Sequence, residues 1–171
     1  MKRVLLLAGL GVALLAPNAR ADTTVVVKGT HLCCPACVNA VAKILKDAGC
    51  QGKCDQKGKT ITITAADDAA AAKAVAALAA GGFHGQSDND KLAMKDDSGA
   101  KKGKVKSLEV SGVHNCCGAC CKAIKAAIAK VDGFEKDTAT PKQTTFTVTG
   151  NFEPVDIVKA LNDAGFHVKV K

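Results

Sequence analysis

Residues 29–37 read GTHLCCPAC, and residues 112–120, 83 positions further along the chain, read GVHNCCGAC. At the same displacement, residues 82–84, GFH, reappear as residues 165–167. Two widely separated matches at one offset indicate that a whole unit has been duplicated, not a short motif. The sequence therefore predicts two copies of one small domain.

The boundaries of the two copies follow from composition. Residues 87–104 are rich in Asp, Lys, Gly and Ser and have no apolar periodicity, which is typical of a flexible linker. We therefore predict one domain at residues 22–86 and a second at residues 105–171.

The periodicity of the second copy predicts its elements in order. Residues 105–110 have the pattern of a strand, and residues 119–131 carry apolar side chains at helical spacing. Two strands then flank a turn at Pro141. A helix begins at Pro154, and residues 166–170 form the last strand.

The first copy shows the same succession and closes with a strand predicted at residues 83–86. The order βαββαβ is that of a ferredoxin-like α+β domain. We expect each copy to form a four-stranded antiparallel sheet with two helices on one face.

The first 21 residues are predicted to be a signal peptide. Lys2 and Arg3 precede an apolar run, and the segment ends in the small-residue site Ala19-Arg20-Ala21. The apolar run is shorter than the roughly 20 residues that span a bilayer, and no later segment comes closer to that length. No membrane span is therefore expected after cleavage. The protein is therefore expected in the periplasm or secreted.

Composition argues against a nucleic-acid partner. Cleavage would remove Lys2, Arg3 and Arg20, leaving 21 lysines against 16 acidic residues, a net charge of +5 and no arginine. The chain has no Trp, no Tyr and only five Phe. Arginine forks and aromatic stacking are the usual means of binding nucleic acid, so the lysines are interpreted as a solvated surface.

Nine cysteines in an exported chain usually suggest disulfides, but their number is odd and seven lie in the two repeated loops. Cys34 and Cys37, like Cys117 and Cys120, stand where a strand passes into a helix. There the unpaired amide groups of the first helical turn favour a thiolate. Paired thiolates suit a soft ion, Cu(I) or Hg(II) in particular.

A strand, a Gly-containing loop, Cys-x-x-Cys, a helix and a late Gly-Phe turn together resemble the heavy-metal-associated domain of copper chaperones, metal-transporting ATPases and the periplasmic mercury-binding protein. The resemblance covers nearly all of residues 22–171, twice. It implies that the Cys-x-x-Cys pairs bind the metal, and that Phe83 and Phe166 pack beside it.

The loops depart from that family by an interposed His-x-Cys element. His31 and Cys33 precede the first pair, and His114 and Cys116 precede the second. Each loop thus offers four N/S ligands, a number that suits tetrahedral Zn(II) as the alternative to Cu(I). For the two histidines, the competing interpretation is a solvated loop residue or a partner of a ligand.

The remaining cysteines and histidines are assigned structural roles. Cys50, Cys54 and Cys121 have no cysteine counterpart in the other copy and are interpreted as packed residues, or for the first two as a local disulfide. His84 and His167 are expected to begin a surface strand.

The pattern as a whole favours a binding module over an enzyme, because no general base or substrate cleft is visible. We expect a carrier or scavenger of soft metal, with a metal-donating or metal-accepting protein as its partner. The alternative is a thiol-disulfide oxidoreductase, since exported Cys-x-x-Cys pairs also exchange disulfides. The absence of Trp beside the pairs and the redundant third cysteine of each loop argue against it.

Overall fold

The structure, a computed structural model, describes residues 22–171, so the predicted signal peptide lies outside the described residues. The first unit contains, in chain order, β1 (Thr23–Lys28), α1 (Pro35–Asp47), β2 (Gln51–Asp55), β3 (Thr60–Ala65), α2 (Asp68–Ala80) and β4 (Gln86–Ser87). The second unit contains β5 (Val105–Ser111), α3 (Gly118–Ile128), β6 (Phe134–Asp137), β7 (Phe146–Phe152), α4 (Pro154–Asp163) and β8 (Lys169–Val170).

Both units have the predicted βαββαβ order and the same sheet topology. The strand orders are β2-β3-β1-β4 and β6-β7-β5-β8, and every strand pair is antiparallel. The predicted α+β fold of two four-stranded ferredoxin-like domains is confirmed.

Local sequence explains how the first unit forms. Pro35 occupies the first turn of α1, where its missing N–H costs nothing, and Val41 and Leu45 lie one turn apart on the buried face. In β3, Ile61 and Ile63 are fully buried and alternate with threonines. The apolar side chains of α1 and β3 therefore pack in one core, which holds α1 against the sheet.

The closing strands are shorter than predicted. The sequence placed strands at residues 83–86 and 166–170, but β4 and β8 contain two residues each. The preceding residues pair with the other unit instead. Phe83 forms an antiparallel bridge with Phe166, and the backbone N–H groups of His84 and His167 donate to the opposite glycine carbonyls at 3.1 Å.

The segment between the two units has defined contacts with both. A short 3-10 helix at Asp90–Leu92 buries Leu92 against α2. Asp88 accepts a hydrogen bond from the N–H of Val26 at 2.8 Å, and Gly103 donates its N–H to Glu153 at 2.6 Å. The linker residues thus lie along the two units in this structure.

Within residues 22–171, no helix combines the length and the apolar character needed to cross a bilayer.

Replacing Leu161, which is fully buried on α4, with Ala should lower the free energy of unfolding by about 2–5 kcal/mol through the cavity it leaves. Lys159→Ala, on the exposed side of the same helix, should change it by less than about 1 kcal/mol. Urea denaturation of the reduced, metal-free protein measures both, and equal effects would contradict the assigned burial of α4.

Candidate metal centre

Each Cys-x-x-Cys pair is placed by the start of a helix. Cys34 and Cys117 are the N-cap residues of α1 and α3, with extended backbones at φ −154° and −153°. Cys37 and Cys120 lie in the first turn of these helices and are fully buried, whereas the two N-cap cysteines are half-buried. Each pair therefore combines one accessible and one inaccessible sulfur.

The two loops face each other across a close backbone contact between the units. Gly165, at φ +88°, accepts the N–H of His31 at 3.3 Å, and a Cβ on Gly165 would lie 2.3 Å from that nitrogen. Gly82, at φ +82°, is equivalent, since its Cβ would lie 2.3 Å from the nitrogen of His114. Only glycine allows both the backbone angle and the approach, so these residues set the distance between the loops.

This approach brings six cysteine sulfurs into one cluster. Across the units, Cys33 Sγ lies 3.4 Å from Cys120 Sγ, and Cys37 Sγ lies 3.6 Å from Cys116 Sγ. The sulfurs of the two N-cap cysteines are 3.9 Å apart. These separations far exceed the ~2.05 Å of a disulfide. They match the roughly 3.7 Å between two thiolates on one tetrahedral metal with ~2.3 Å bonds.

Two histidines complete the cluster from opposite sides. A ring nitrogen of His31 lies within 4.8 Å of Cys33 and Cys120 sulfurs, and one of His114 lies within 4.8 Å of the sulfurs of Cys37, Cys116 and Cys120. The Nε2 atoms of both rings are buried and have no hydrogen-bond partner among the described residues. Buried polar atoms are normally satisfied, so a histidine that has an unpartnered ring nitrogen and lies beside thiols fits a metal ligand.

Phe83 and Phe166 each pack against the loop histidine of the other unit. Phe166 stacks on His31 with ring centroids 4.4 Å apart, and Phe83 stacks on His114 at 4.2 Å. Both phenylalanines are buried. Each phenylalanine therefore covers the loop histidine of the other unit.

Two of the cluster thiols have a lowered pKa and three have a raised pKa. The backbone N–H of Cys120 is the main cause that lowers the pKa of Cys117 to about 6. Burial raises the pKa of Cys37, but backbone hydrogen bonds from Cys33 and Cys34 outweigh it and leave that pKa below its ordinary value. Thiolates therefore form first where backbone N–H groups donate to sulfur.

The other three thiols have a pKa above the ordinary value. Burial, followed by hydrogen bonds to neighbouring thiols, raises the pKa of Cys33 and of Cys116. Burial also raises the pKa of Cys120. A bound metal would supply the missing positive charge and release these protons.

The structure brings all the predicted ligands to one place. They are His31, Cys33, Cys34, Cys37, His114, Cys116, Cys117 and Cys120. The grouping differs from the four-ligand sets expected within each loop, because each histidine is grouped with a cysteine of the other unit. Whether each residue ligates stays a prediction.

The cysteines outside the cluster are packed residues. Cys50 is buried and its Sγ lies 3.6 Å from the carbonyl oxygen of Ala70, while Cys121 is buried and directs its Sγ to that of Ala139 at 3.5 Å. Cys54 is half-buried, and all three are free thiols.

Sequence reasoning missed a second contact between the units. His84 and His167 were expected to begin a surface strand, and this prediction is wrong. The two rings stack on each other, and His167 is buried. Their Nδ1 atoms are 3.2 Å apart, and His167 Nε2 lies 2.7 Å from Asp97. If Nε2 of His167 donates to that carboxylate, its neutral ring accepts the Nδ1–H of His84. The repeated Gly-Phe-His string was the signal for this pairing.

This pair predicts how stability depends on pH. Burial first, then the nearby His167, lower the pKa of His84 to about 4, against the raising effects of Asp163 and Asp96. The unfolded chain protonates this residue below about pH 6.5, while the folded chain keeps it neutral. The resulting stabilisation is complete above pH 6.5 and is lost as the pH falls towards 4.

Thermal denaturation of the reduced, metal-free protein between pH 7.5 and 4 should show this loss. His84→Gln should make the melting temperature less dependent on pH in that window. A variant with the same pH profile as the unmodified protein would contradict the assignment.

One family model matches the second unit of this chain. Residues 107–167 match the family model of the heavy-metal-associated domain. Among curated proteins, none matches the sequence of this chain.

Three solved structures are similar in part. A copper binding domain from HMA7, a P-type ATPase, is 26% identical, and the match covers 39% of this chain and 95% of that one, with a TM-score of 0.35. The N-terminal soluble domains of Bacillus subtilis CopA are 17% identical over 89% of this chain and 95% of theirs, with a TM-score of 0.31. The first two RRM domains of yeast poly(U) binding protein Pub1 are 10% identical over 87% of this chain and 98% of theirs, at 0.26. TM-scores this low establish no common arrangement of the two units.

Proposed function

This chain carries a heavy-metal-associated domain, preceded by a second unit of the same topology, and we propose that it binds a soft metal ion outside the cytoplasm and carries or sequesters it. Cu(I) is the metal that we propose first. The observation that carries this proposal is the cluster of six cysteine sulfurs between the two loops.

The donor set supports a soft monovalent ion. Thiolate sulfur prefers Cu(I) to hard cations, whereas Mg²⁺ and Ca²⁺ require oxygen ligands. Within residues 22–171, the groups placed to hold a metal contain only cysteine and histidine. Hg(II) has the same preference for sulfur and is a further candidate on that ground.

Zn(II) is the second candidate because one group has a suitable composition. Cys37, Cys116, Cys120 and His114 offer three sulfurs and one ring nitrogen within 4.8 Å of one another. Three cysteines and one histidine form a common tetrahedral zinc site. Competition between the two metals would decide which one the protein holds.

The exposure of the cluster favours transfer by ligand exchange. Cys34 and Cys117 are half-buried, so an incoming thiol of a partner protein can reach them, while Cys37 and Cys120 stay covered. A metal-donating or metal-accepting protein would therefore contact these cysteines, or the equally half-buried Cys33 and Cys116, before Cys37 and Cys120. The lysine excess would attract an acidic partner surface.

Disulfide exchange is the weaker proposal. An oxidoreductase needs one reactive thiol and one resolving thiol, but here each sulfur has at least three neighbours within 3.9 Å. Oxidation would produce several alternative pairings, including links between the units. We therefore propose a binding protein and not an enzyme.

Titration of the reduced protein with Cu(I) against a colorimetric chelator tests the function. The double variant Cys37→Ser and Cys120→Ser removes the sulfur with the most sulfur neighbours from each pair, and it should weaken Cu(I) binding at least about 100-fold, or ~2.7 kcal/mol. Cys34 and Cys117 remain as the N-cap residues, so both helices should persist. Cys54→Ser, away from the cluster, is the matched control and should bind as the unmodified protein does.

Weak Cu(I) binding by the unmodified protein, together with catalytic reduction of insulin disulfides, would replace the metal-binding proposal with disulfide exchange. Weak Cu(I) binding with tight Zn(II) binding would select the second metal.

Export is tested separately. The N-terminal sequence of the protein recovered from its native cell should begin at Asp22, and the protein should fractionate with the periplasm or the medium. Recovery of the intact leader in the cytoplasmic fraction would refute the proposed location.

A further inference from the structure

The sulfur contacts of the cluster form triangles as well as pairs. In the first triangle, the Sγ atom of Cys33 lies 3.7 Å from that of Cys37 and 3.4 Å from that of Cys120, and the last two are 3.9 Å apart. Three more sets of three are mutually within 3.9 Å: Cys37, Cys116 and Cys120; Cys33, Cys117 and Cys120; and Cys34, Cys37 and Cys116. The cluster thus presents four three-sulfur faces.

Every one of these faces combines the two units. Each takes two cysteines from one loop and one from the other. Either Cys-x-x-Cys pair alone offers two sulfurs, which suffice for a single two-coordinate ion. Three sulfurs within 3.9 Å of one another therefore require both units in the closed arrangement, since the set Cys33, Cys34 and Cys37 of the first loop meets only the wider limit of 4.8 Å.

Every face also contains one of the extra cysteines that precede the pairs. Cys33 belongs to two faces and Cys116 to the other two. Without them, the remaining four sulfurs make contacts of 3.7–3.9 Å but form no triangle. The three-sulfur faces therefore depend on Cys33 and Cys116, the cysteines that precede the two Cys-x-x-Cys pairs.

Shared sulfurs permit more than one ion. Cys37 and Cys120 each belong to three faces, so their thiolates can bridge neighbouring metal ions. Several monovalent ions would also balance six thiolates better than one ion, and like charges this close require such compensation. Each thiol that becomes a ligand releases its proton to solvent.

We propose that the six cysteines hold one polynuclear Cu(I)–thiolate cluster, shared by the two units, with more than two and up to four ions per chain. This inference rests on the proposed Cu(I) function and specifies its capacity. The chain is then a store for several ions, and the loops do not act as two independent one-ion sites.

The test compares copper content and copper environment. The reduced protein, monomeric by size-exclusion chromatography, is loaded with excess Cu(I), desalted against a chelator and analysed for copper per chain. X-ray absorption should then show a sulfur shell and a short Cu···Cu vector. Three or four ions per chain with that vector are expected.

The double variant Cys33→Ser and Cys116→Ser leaves both Cys-x-x-Cys pairs intact. It should retain at most two ions per chain and lose the Cu···Cu vector, because no three-sulfur face remains. Retention of three or more ions with the vector would overturn the assignment of the extra cysteines.

A second variant tests closure without touching a sulfur. Gly82→Ala with Gly165→Ala places Cβ atoms against the opposite backbone at 2.3 Å, so it should separate the loops and reduce the load to at most two ions. Gly49→Ala is the matched control, because it has φ +77° and no atom within 4 Å of the added Cβ. It should keep the full load.

The outcomes separate the two proposals. One or two ions in the unmodified protein, with no Cu···Cu vector, would overturn the shared cluster and leave Cu(I) binding by separate pairs in place. No retained copper would overturn both.

Discussion

The centre of this molecule depends on the close approach of two glycines to the opposite unit. Gly82 and Gly165 lie so near the backbone nitrogens of His114 and His31 that a Cβ atom has no room. The positive φ of both glycines turns the late loop of each unit towards the other. The two Cys-x-x-Cys loops face each other across this contact, which brings the six sulfurs together.

A cluster of six thiols is costly without a cation and favourable with one. Helix amides lower the pKa of Cys117, but burial raises the pKa of Cys33 and Cys116. Ionising one thiol makes the next harder to ionise, so the metal-free cluster stays partly protonated. A soft cation reverses that balance, since it replaces protons with bonds to sulfur. The same physics links metal binding to the closed position of the two units.

A second layer of contacts supports the closed position away from the sulfurs. The two stacked histidines bridge the units, and Asp97 fixes one of them from the linker. The side chain of Lys169 also lies 3.2 Å from that carboxylate. The segment between the domains thus takes part in their contact, which joins the arrangement of the metal centre to residues far from any cysteine.

The sequence by itself determined the duplication, the βαββαβ order and the residue types of the centre. These properties depend on local periodicity and on spacing along the chain, as in the alternation of Ile61 and Ile63 with threonines or the position of Pro35 before Cys37. Cys34 and Cys117 are placed by the starts of their own helices and not by contacts with the rest of the molecule. The loops could therefore be recognised from the sequence.

Only the tertiary structure decided that the loops meet, that Phe83 and Phe166 cover the histidine of the opposite unit, and that His84 pairs with His167. Repetition at a fixed offset does not determine the angle between two copies. That angle follows from the fit of surfaces distant in sequence, and the short strands β4 and β8 are its consequence, because the residues before them pair across the units.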